Sequence, residues 1–233
     1  MFKKLARILL ALGLLFAILT IPTSTRQGVD FVVHTKTIPL YLKMLDFTDR
    51  YFNYLNLAHH ITKDAHSETE KAKAILTWTK QNIKRVPQGM SIIDDHIWFT
   101  IVRGYAVDDQ FQDIFATLCN HAGIRAFYAD FPSSIDTSKK MPLAIITIGH
   151  KQVIFDAYRG NYFTNKKGEL ADISILKNPQ ELVITTITKD TADSIDYSPY
   201  FTGIAAFKDS GLSRSSIQSP FKRLMYELKS RFK

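Results

Sequence analysis

The stretch that most constrains this chain runs from Arg103 to Phe131, RGYAVDDQFQDIFATLCNHAGIRAFYADF. Its central part carries apolar residues at the spacing of one helix face, and these are Phe111, Ile114, Phe115, Leu118, Cys119 and Ala122. Gly123 follows, a residue type that commonly ends helices. A run rich in aromatic residues begins at Ile124. The stretch therefore predicts a loop, a helix, a stop and a strand, in that order.

Segments on both sides extend this pattern. Before it, AKAILTWTKQNI (72–83) has helical spacing and follows the capping sequence SETE (67–70). After it, PLAIITIG and KQVIFDAY are two apolar runs on either side of Gly149-His150, which predicts a hairpin. Together these segments resemble the core of a transglutaminase-like, papain-like domain over about half of the chain. The resemblance implies an α+β fold in which a helix packs on a small antiparallel sheet.

The resemblance also implies where a catalytic triad would lie. The family places its nucleophilic Cys at the N-terminus of the central helix, its His at the start of a hairpin strand and its Asp at the end of the next strand. Counted from Gly123, the Cys position falls on Asp108, and the His position falls on Met141 or Pro142. Asp156 occupies the Asp position. The resemblance thus implies a degenerate triad of Asp108, Met141 and Asp156, and supports a fold more firmly than an activity.

The chain begins with a basic segment followed by an apolar one. Lys3, Lys4 and Arg7 precede a stretch without charge that ends before Arg26. This pattern is typical of a signal anchor or a secretory signal, although the apolar run is near the lower limit of the roughly 17 to 25 residues that span a bilayer. No A-x-A cleavage pattern is present. We therefore expect residues 1–26 to be an uncleaved membrane anchor, with a cleaved signal or a buried helix as alternatives. The anchor places the domain outside the cytoplasm, on the periplasmic or cell-surface side, and a cleaved signal would make the protein secreted.

Charge is concentrated at the two ends of the chain. Residues 1–26 and residues 220–233 each contribute half of the formal net charge of +8, so the body between them is neutral. A neutral body does not predict nucleic-acid binding. With 45% hydrophobic and 12% aromatic residues, a chain of 233 residues can form one substantial core.

The remaining segments give the expected domain organisation. A domain is expected over 27–208, opening with an amphipathic helix from Ile38 to Ile61. Within its later part, PQELVIT (179–185) predicts a short helix, and the aromatic segment 197–207 predicts a cover on the domain. Residues 209–219 have the composition of a linker. Residues 220–233 predict a basic amphipathic helix, which contacts a membrane or a partner or packs on its own domain.

Cys119 is the only cysteine, which excludes an intramolecular disulfide. It shares the apolar face of its predicted helix, so we expect a buried thiol. It also lies towards the C-terminus of that helix, where the helix dipole disfavours a thiolate. A reactive thiol remains the alternative, with His121 and His150 as the available bases.

A polar cluster lies just before and within the central helix. Its carboxylates and one imidazole are Asp94, Asp95, His96, Asp108, Asp109 and Asp113. One interpretation is a ligand-binding cleft or a general acid–base group, with Arg103 included. The other is structural: Asp94 or Asp95 pairs with Arg103 or forms a turn, while Asp108 and Asp109 cap the helix, with Asp109 and Gln112 resembling a capping box. No zinc or calcium motif is present, and we expect no cofactor.

Two hypotheses of function follow, with a third of less weight. The first is a membrane-tethered domain that has lost the Cys–His pair and binds or scaffolds a peptide, a glycan or an envelope partner, since the resemblance implies cell-envelope or surface-polysaccharide work. The second is a hydrolase or transferase that uses Asp94, Asp95, His96, Asp108 and Asp156, with or without a metal. The third is a cysteine enzyme acting through Cys119.

Overall fold

The N-terminal part of the chain is a helix followed by a hairpin. The computed structural model describes residues 2–29, 32–178, 181–187, 195–202 and 213–231. Helix α1 (Phe2–Leu19) leads into strands β1 (Pro22–Val29) and β2 (Val32–Pro39), which pair as an antiparallel hairpin that the sequence did not predict. Across the described ranges, no helix combines the length and apolar character needed to cross a membrane. The predicted spanning anchor is therefore not supported.

Four helices form one layer of the domain. They are α2 (Leu40–Thr62), α3 (Glu68–Asn82), α4 (Ile97–Arg103) and α5 (Asp108–His121). The cap predicted for α3 is confirmed, because Ser67 Oγ accepts a 3.2 Å hydrogen bond from the Glu70 amide. Helix α5 packs against the other three, and its apolar face is buried as the spacing predicts.

Five antiparallel strands form the second layer. They are β5 (Arg125–Pro132), β6 (Lys140–Ile148), β7 (Lys151–Asp156), β8 (Asn161–Asn165) and β9 (Leu182–Thr186), in that order across the sheet. The predicted hairpin across Gly149 is confirmed as β6 and β7. A short parallel pair, β3 (Lys84–Arg85) with β4 (Tyr105–Ala106), joins the chain after α3 to the start of α5.

The sheet is covered on both faces. Because side chains alternate along a strand, Ala144 and Ile146 of β6 face the helices, whereas Leu143 and Ile145 join the cluster on the other side. On the helix side, the rings of Phe115 and Phe155 stack with centroids 5.1 Å apart. The predicted α+β fold, with a helix packed on a small antiparallel sheet, is confirmed.

The described residues 195–202 cover the second face of the sheet. Here α6 (Ser198–Phe201) places Phe201 against Phe131 and Phe163. This agrees with the cover predicted from the aromatic composition of 197–207. The part of that segment from 203 onwards lies outside the described residues.

The helix predicted over 179–185 is wrong. Residues 182–186 form β9, which pairs with β8 in the register Phe163 to Ile184, while residues 179 and 180 lie outside the described residues. The segment LVITT consists mainly of β-branched residues, whose restricted side chains favour strands. The free edge of β8 therefore overrides the weak helical pattern.

The linker predicted over 209–219 is wrong for its described part. Residues 213–219 pack on α5 and β5, with Ser215, Ser216 and Ile217 buried. A short 3-10 helix (Ser216–Gln218) leads into helix α7 (Pro220–Arg231), whose first turn is capped by Ser219 Oγ accepting a 3.3 Å hydrogen bond from the Lys222 amide. A serine-rich composition is compatible with a linker, but here the hydroxyls bond within the segment and to β5.

Candidate functional site

The N-terminus of α5 is held by a glutamine. Gln110 Oε1 accepts a 3.2 Å hydrogen bond from the Val107 amide, one turn back, and Asp108 Oδ1 accepts a 2.9 Å bond from the Asp109 amide. The predicted capping box of Asp109 with Gln112 is therefore wrong, because the N-cap is Val107, two residues before Asp109. Gln112 instead points inward and is fully buried.

Asp108 is exposed, and the pKa of Asp109 is raised by partial burial and by the neighbouring carboxylate of Asp108.

Met141 lies in the apolar layer on the far side of the sheet. It pairs with Phe131 across β5 and β6, and only 4% of its surface is exposed. Its neighbours in that cluster include Leu143 and Phe163. The side chain at this position is therefore a core residue.

Asp156 is the centre of a buried polar network. Its Oδ2 accepts hydrogen bonds from the Tyr197 hydroxyl (2.7 Å) and from Arg159 Nη1 (3.0 Å). Its Oδ1 accepts from the Arg159 amide (3.0 Å) and from Gln112 Nε2 (3.3 Å). Asn161 Nδ2 in turn donates to the Tyr197 oxygen over 2.9 Å. Asp156 is fully buried, and both of its carboxylate oxygens are satisfied by these donors.

The partners of Asp156 were not found from the sequence. Tyr197 is 41 positions away and Gln112 is 44 positions away along the chain, so no local pattern connects them. Arg159 is three residues away, which is close enough to have been proposed. The signal available was an Asp at a strand end followed closely by an Arg.

Asp95 is a structural ion-pair partner of Arg103, as the sequence predicted. Arg103 Nη1 lies 2.7 Å from Asp95 Oδ2, and Nη2 lies 2.8 Å from Oδ1. This two-point geometry is the strong form of an arginine–carboxylate pair. The Asp95 side chain is fully buried, so the pair fixes the loop before α4.

Asp94 and Asp113 meet at an arginine that the sequence did not single out. Arg214 Nη1 lies 2.8 Å from Asp94 Oδ1 and 3.4 Å from Asp113 Oδ2. Burial raises the pKa of Asp113 to about 7, and the nearby Arg214 charge acts in the opposite direction. Arg214 lies in the segment interpreted as a linker, roughly a hundred positions from both carboxylates, which is why sequence reasoning missed it.

His96 is the N-cap residue of α4 and is half-buried. It precedes α4, and its Nε2 is buried without a hydrogen-bond partner among the described residues. Burial, followed by the charge of Arg50, lowers the pKa of His96 to about 4. Its imidazole is therefore neutral at pH 7. Among the described residues, His96 makes no hydrogen bond to Asp95, Asp108 or Asp156.

Cys119 is fully buried on α5, as predicted. Burial raises the pKa of its thiol far above the ordinary range, which disfavours the reactive thiolate. Neither of the two proposed bases is bonded to the thiol among the described residues. His121 Nδ1 contacts the Thr117 carbonyl at 2.8 Å, and His150 is exposed at the β6–β7 turn.

A cavity of about 180 Å³ opens beside the start of α5. Its lining includes Val86, Met90, Ile93, Arg103, Tyr105 and Gln110. Typical small-molecule pockets have volumes of about 300 to 1,000 Å³, so this cavity accommodates only part of a ligand. In the part of the chain that the structure covers, no group of three or more His, Cys, Asp or Glu residues is arranged to hold a metal ion.

Comparisons with known proteins agree with this architecture. Residues 55–130 match the model of the transglutaminase-like superfamily core. Among curated proteins, none matches the chain significantly.

Two solved structures are similar to part of the chain. One is a candidate cysteine protease from Cytophaga hutchinsonii, with 18% identity over 58% of this chain and 47% of that protein, at a TM-score of 0.41. The other is a candidate protease from Parabacteroides distasonis, with 14% identity over 58% of this chain and 35% of that protein, at a TM-score of 0.37. This chain therefore spans less than half the length of either protein. At these scores the similarity carries no argument about mechanism.

Proposed function

Because residues 55–130 match the model of the transglutaminase-like superfamily core, we propose that the protein is a non-catalytic relative of that superfamily that acts as a binding or scaffold domain. In this proposal the positions of the family's Cys and His are filled by Asp108 and Met141. The protein binds a peptide, a glycan or an envelope protein near the N-terminus of α5. Its chemistry is recognition, and no acyl transfer takes place on it.

The observation that carries the proposal is the bonding of Asp156. In a triad, the carboxylate orients an imidazole. Here its two oxygens accept from Tyr197, Arg159 and Gln112. An imidazole could bind Asp156 only by displacing the buried phenol of Tyr197 and the guanidinium of Arg159. We infer that Asp156 now stabilises the domain.

Two further observations support the loss of thiol chemistry. The one cysteine of the chain is fully buried on the apolar face of α5. Met141 belongs to the apolar cluster behind the sheet, and a methionine cannot accept a proton from a nucleophile. The alternative hydrolase gains no comparable support, because Asp95 and Asp156 are both engaged in ion pairs.

Alkylation with iodoacetamide tests the proposal. In the folded full-length chain we expect Cys119 to be modified only as fast as the domain unfolds, and rapidly once urea unfolds it. The variant Asp108→Cys is the matched positive control, because it places a thiol at an exposed helix N-terminus, where thiolates are favoured. Peptide mass spectrometry distinguishes Cys119 from the introduced thiol. Rapid modification of Cys119 in the folded wild-type protein would contradict the proposal.

We further propose that the protein is tethered to a membrane and that its domain lies outside the cytoplasm. Lys3, Lys4 and Arg7 begin α1, and its apolar side chains, such as Leu10 and Phe16, are largely exposed. Helix α7 adds a basic end to the chain, with Phe221 exposed. Basic residues next to apolar ones favour contact with anionic lipid surfaces.

Co-sedimentation with vesicles that contain anionic lipids tests the tether. The full-length chain should pellet with the vesicles, and a variant that lacks residues 2–19 should stay in the supernatant. A variant that lacks residues 220–233 measures the separate contribution of α7. Recovery of the full-length chain in the supernatant would contradict the tether. Cleavage of the domain by protease added to intact cells tests whether it lies outside the cytoplasm.

A further inference from the structure

Arg214 inserts its guanidinium between the loop before α4 and the buried face of α5. Nη1 lies 2.8 Å from Asp94 Oδ1 and 3.4 Å from Asp113 Oδ2, and Nη2 donates to the Asp95 carbonyl. The same space is lined by Ile97, Thr100 and Gln110. We call this site, formed by Asp94, Asp113 and the Asp95 carbonyl, the Arg214 recess.

Arg214 does not satisfy both carboxylate oxygens of Asp113, which lies at the bottom of the recess. The side chain of Asp113 is only 3% exposed, and its contact with Arg214 is an ion pair without a hydrogen bond among the described residues. Its Oδ1 is buried with no hydrogen-bond partner in that part of the chain. A buried carboxylate oxygen without a donor is unfavourable. Asp113 Oδ1 therefore lacks a donor while Arg214 is in place. The space around Arg214 has no room for a further group, so another donor reaches this oxygen only when Arg214 leaves.

The surroundings of the recess favour a cation. Asp109 lies one turn before Asp113 on α5, and its charge adds to those of Asp94 and Asp113. Arg103 does not compensate for them, because both of its terminal nitrogens bind Asp95. Arg26 lies 3.9 Å from Asp94 Oδ2, and both side chains of that pair are more than half exposed.

The occupant already present indicates which cation fits. A guanidinium presents its N–H donors in one plane, which matches a carboxylate at two points and a carbonyl at a third. Arg214 places one nitrogen on each group: Nη1 donates to Asp94 Oδ1 over 2.8 Å, and Nη2 donates to the Asp95 carbonyl. An ammonium group has no such fork. The side chain of Arg214 is 34% exposed, so it lies at the mouth of the recess.

We propose that the Arg214 recess recognises an arginine side chain of a partner peptide, which pairs with both oxygens of Asp113 and displaces Arg214. This inference rests on the proposed function as a binding domain and names its ligand class. Displacement also frees residues 213–219, whose hold on β5 includes the 3.3 Å bond from Ser215 Oγ to the Ala126 carbonyl. Binding of the peptide is thereby coupled to release of the C-terminal segment.

The test uses the full-length chain and N-acetyl-arginine amide as the probe, with affinity measured by NMR titration. Arg214→Ala, which empties the recess, should bind the probe about tenfold more tightly than the wild type does. The lysine analogue should bind Arg214→Ala more weakly than the arginine probe. Adding Asp113→Asn to Arg214→Ala should remove the gain. The control variant Arg125→Ala, which removes an exposed arginine of β5, should behave as the wild type does.

Equal affinity of Arg214→Ala and of the Asp113→Asn/Arg214→Ala double variant would overturn the inference. A measurement on the wild type covers the case in which Arg214→Ala does not fold. The amides of Ser216 and Ile217 donate to the Ser213 carbonyl at 3.0 and 3.1 Å, and the probe should accelerate their hydrogen exchange. Unchanged exchange at saturating probe would also overturn it. The alkylation of Cys119 decides the non-catalytic assignment separately, so the two failures are distinguishable.

Discussion

The hydroxyl of Tyr197 donates a 2.7 Å hydrogen bond to Oδ2 of Asp156, at the end of β7. The phenol is buried, and its pKa is raised by burial and by the Asp156 charge, so it remains a donor. The bond ties the segment before α6 to the strand that carries the triad-like aspartate. Asp156 thereby attaches the cover over the second face of the sheet, in keeping with the non-catalytic role proposed for the domain.

The stability of the domain should depend on pH through Asp113. Burial raises its pKa from 3.8 to about 7, so the folded state binds the proton more tightly than the unfolded state does. Its contribution to stability is therefore present below about pH 4 and is lost as the pH rises through about 7, by at most about 4 kcal/mol. Urea unfolding across this range should show that Asp113→Asn lacks this loss.

Two comparisons make the pH experiment decisive. Asp64→Asn, at an exposed carboxylate, should leave the pH profile of the wild type unchanged. If Asp113→Asn and the wild type differ by the same free energy at every pH, Asp113 is ionised normally and the account of its burial is wrong.

His96 should produce the opposite pH dependence. Burial lowers its pKa from 6.5 to about 4, so the folded state disfavours the protonated imidazole. Its contribution to stability is present above about pH 6.5 and is lost as the pH falls through about 4. Relative to the wild type, His96→Asn should gain stability on acidification over this range, as measured by urea unfolding. The exposed His60 offers the matched variant His60→Asn, and identical profiles for the two variants would refute the prediction.

Removing Arg103 should destabilise the domain strongly. Arg103→Met leaves the fully buried carboxylate of Asp95 without its two-point partner, and loss of one member of a buried pair costs about 3 to 5 kcal/mol. The double variant Asp95→Asn/Arg103→Met should recover much of the loss, because no buried charge remains. Unfolding free energies from urea titration measure both, with the exposed Arg125→Met as the control. A loss below about 1 kcal/mol for Arg103→Met would show that water reaches Asp95.

The parts of the fold predicted from the sequence are those fixed by local patterns. The apolar spacing from Phe111 to Cys119 predicts α5, the serine cap predicts the start of α3, and alternation around Gly149 predicts β6 and β7. The Asp95–Arg103 pair was also within reach, because its members are eight residues apart along one loop and helix. Each of these features depends on short stretches of chain.

The features that the sequence did not predict depend on distant contacts. Strand β9 exists because β8 offers a free edge, and the segment 182–186 has the β-branched residues to pair with it. The recess around Arg214 joins a serine-rich stretch to carboxylates roughly a hundred positions away. Tyr197 likewise reaches Asp156 only when the cover folds back over the sheet. Such contacts leave no periodic signal in a single sequence.

A double-mutant cycle between Tyr197 and Asp156 tests the central claim, that Asp156 now serves the fold, most directly. The unfolding free energies of the wild type, Tyr197→Phe, Asp156→Asn and the double variant give the coupling between the two side chains. We expect Tyr197→Phe to lower stability by about 1.5 to 3 kcal/mol and the coupling energy to exceed about 1 kcal/mol. Additive effects, with a coupling below about 0.5 kcal/mol, would show that the phenol does not hold Asp156 and would contradict the account.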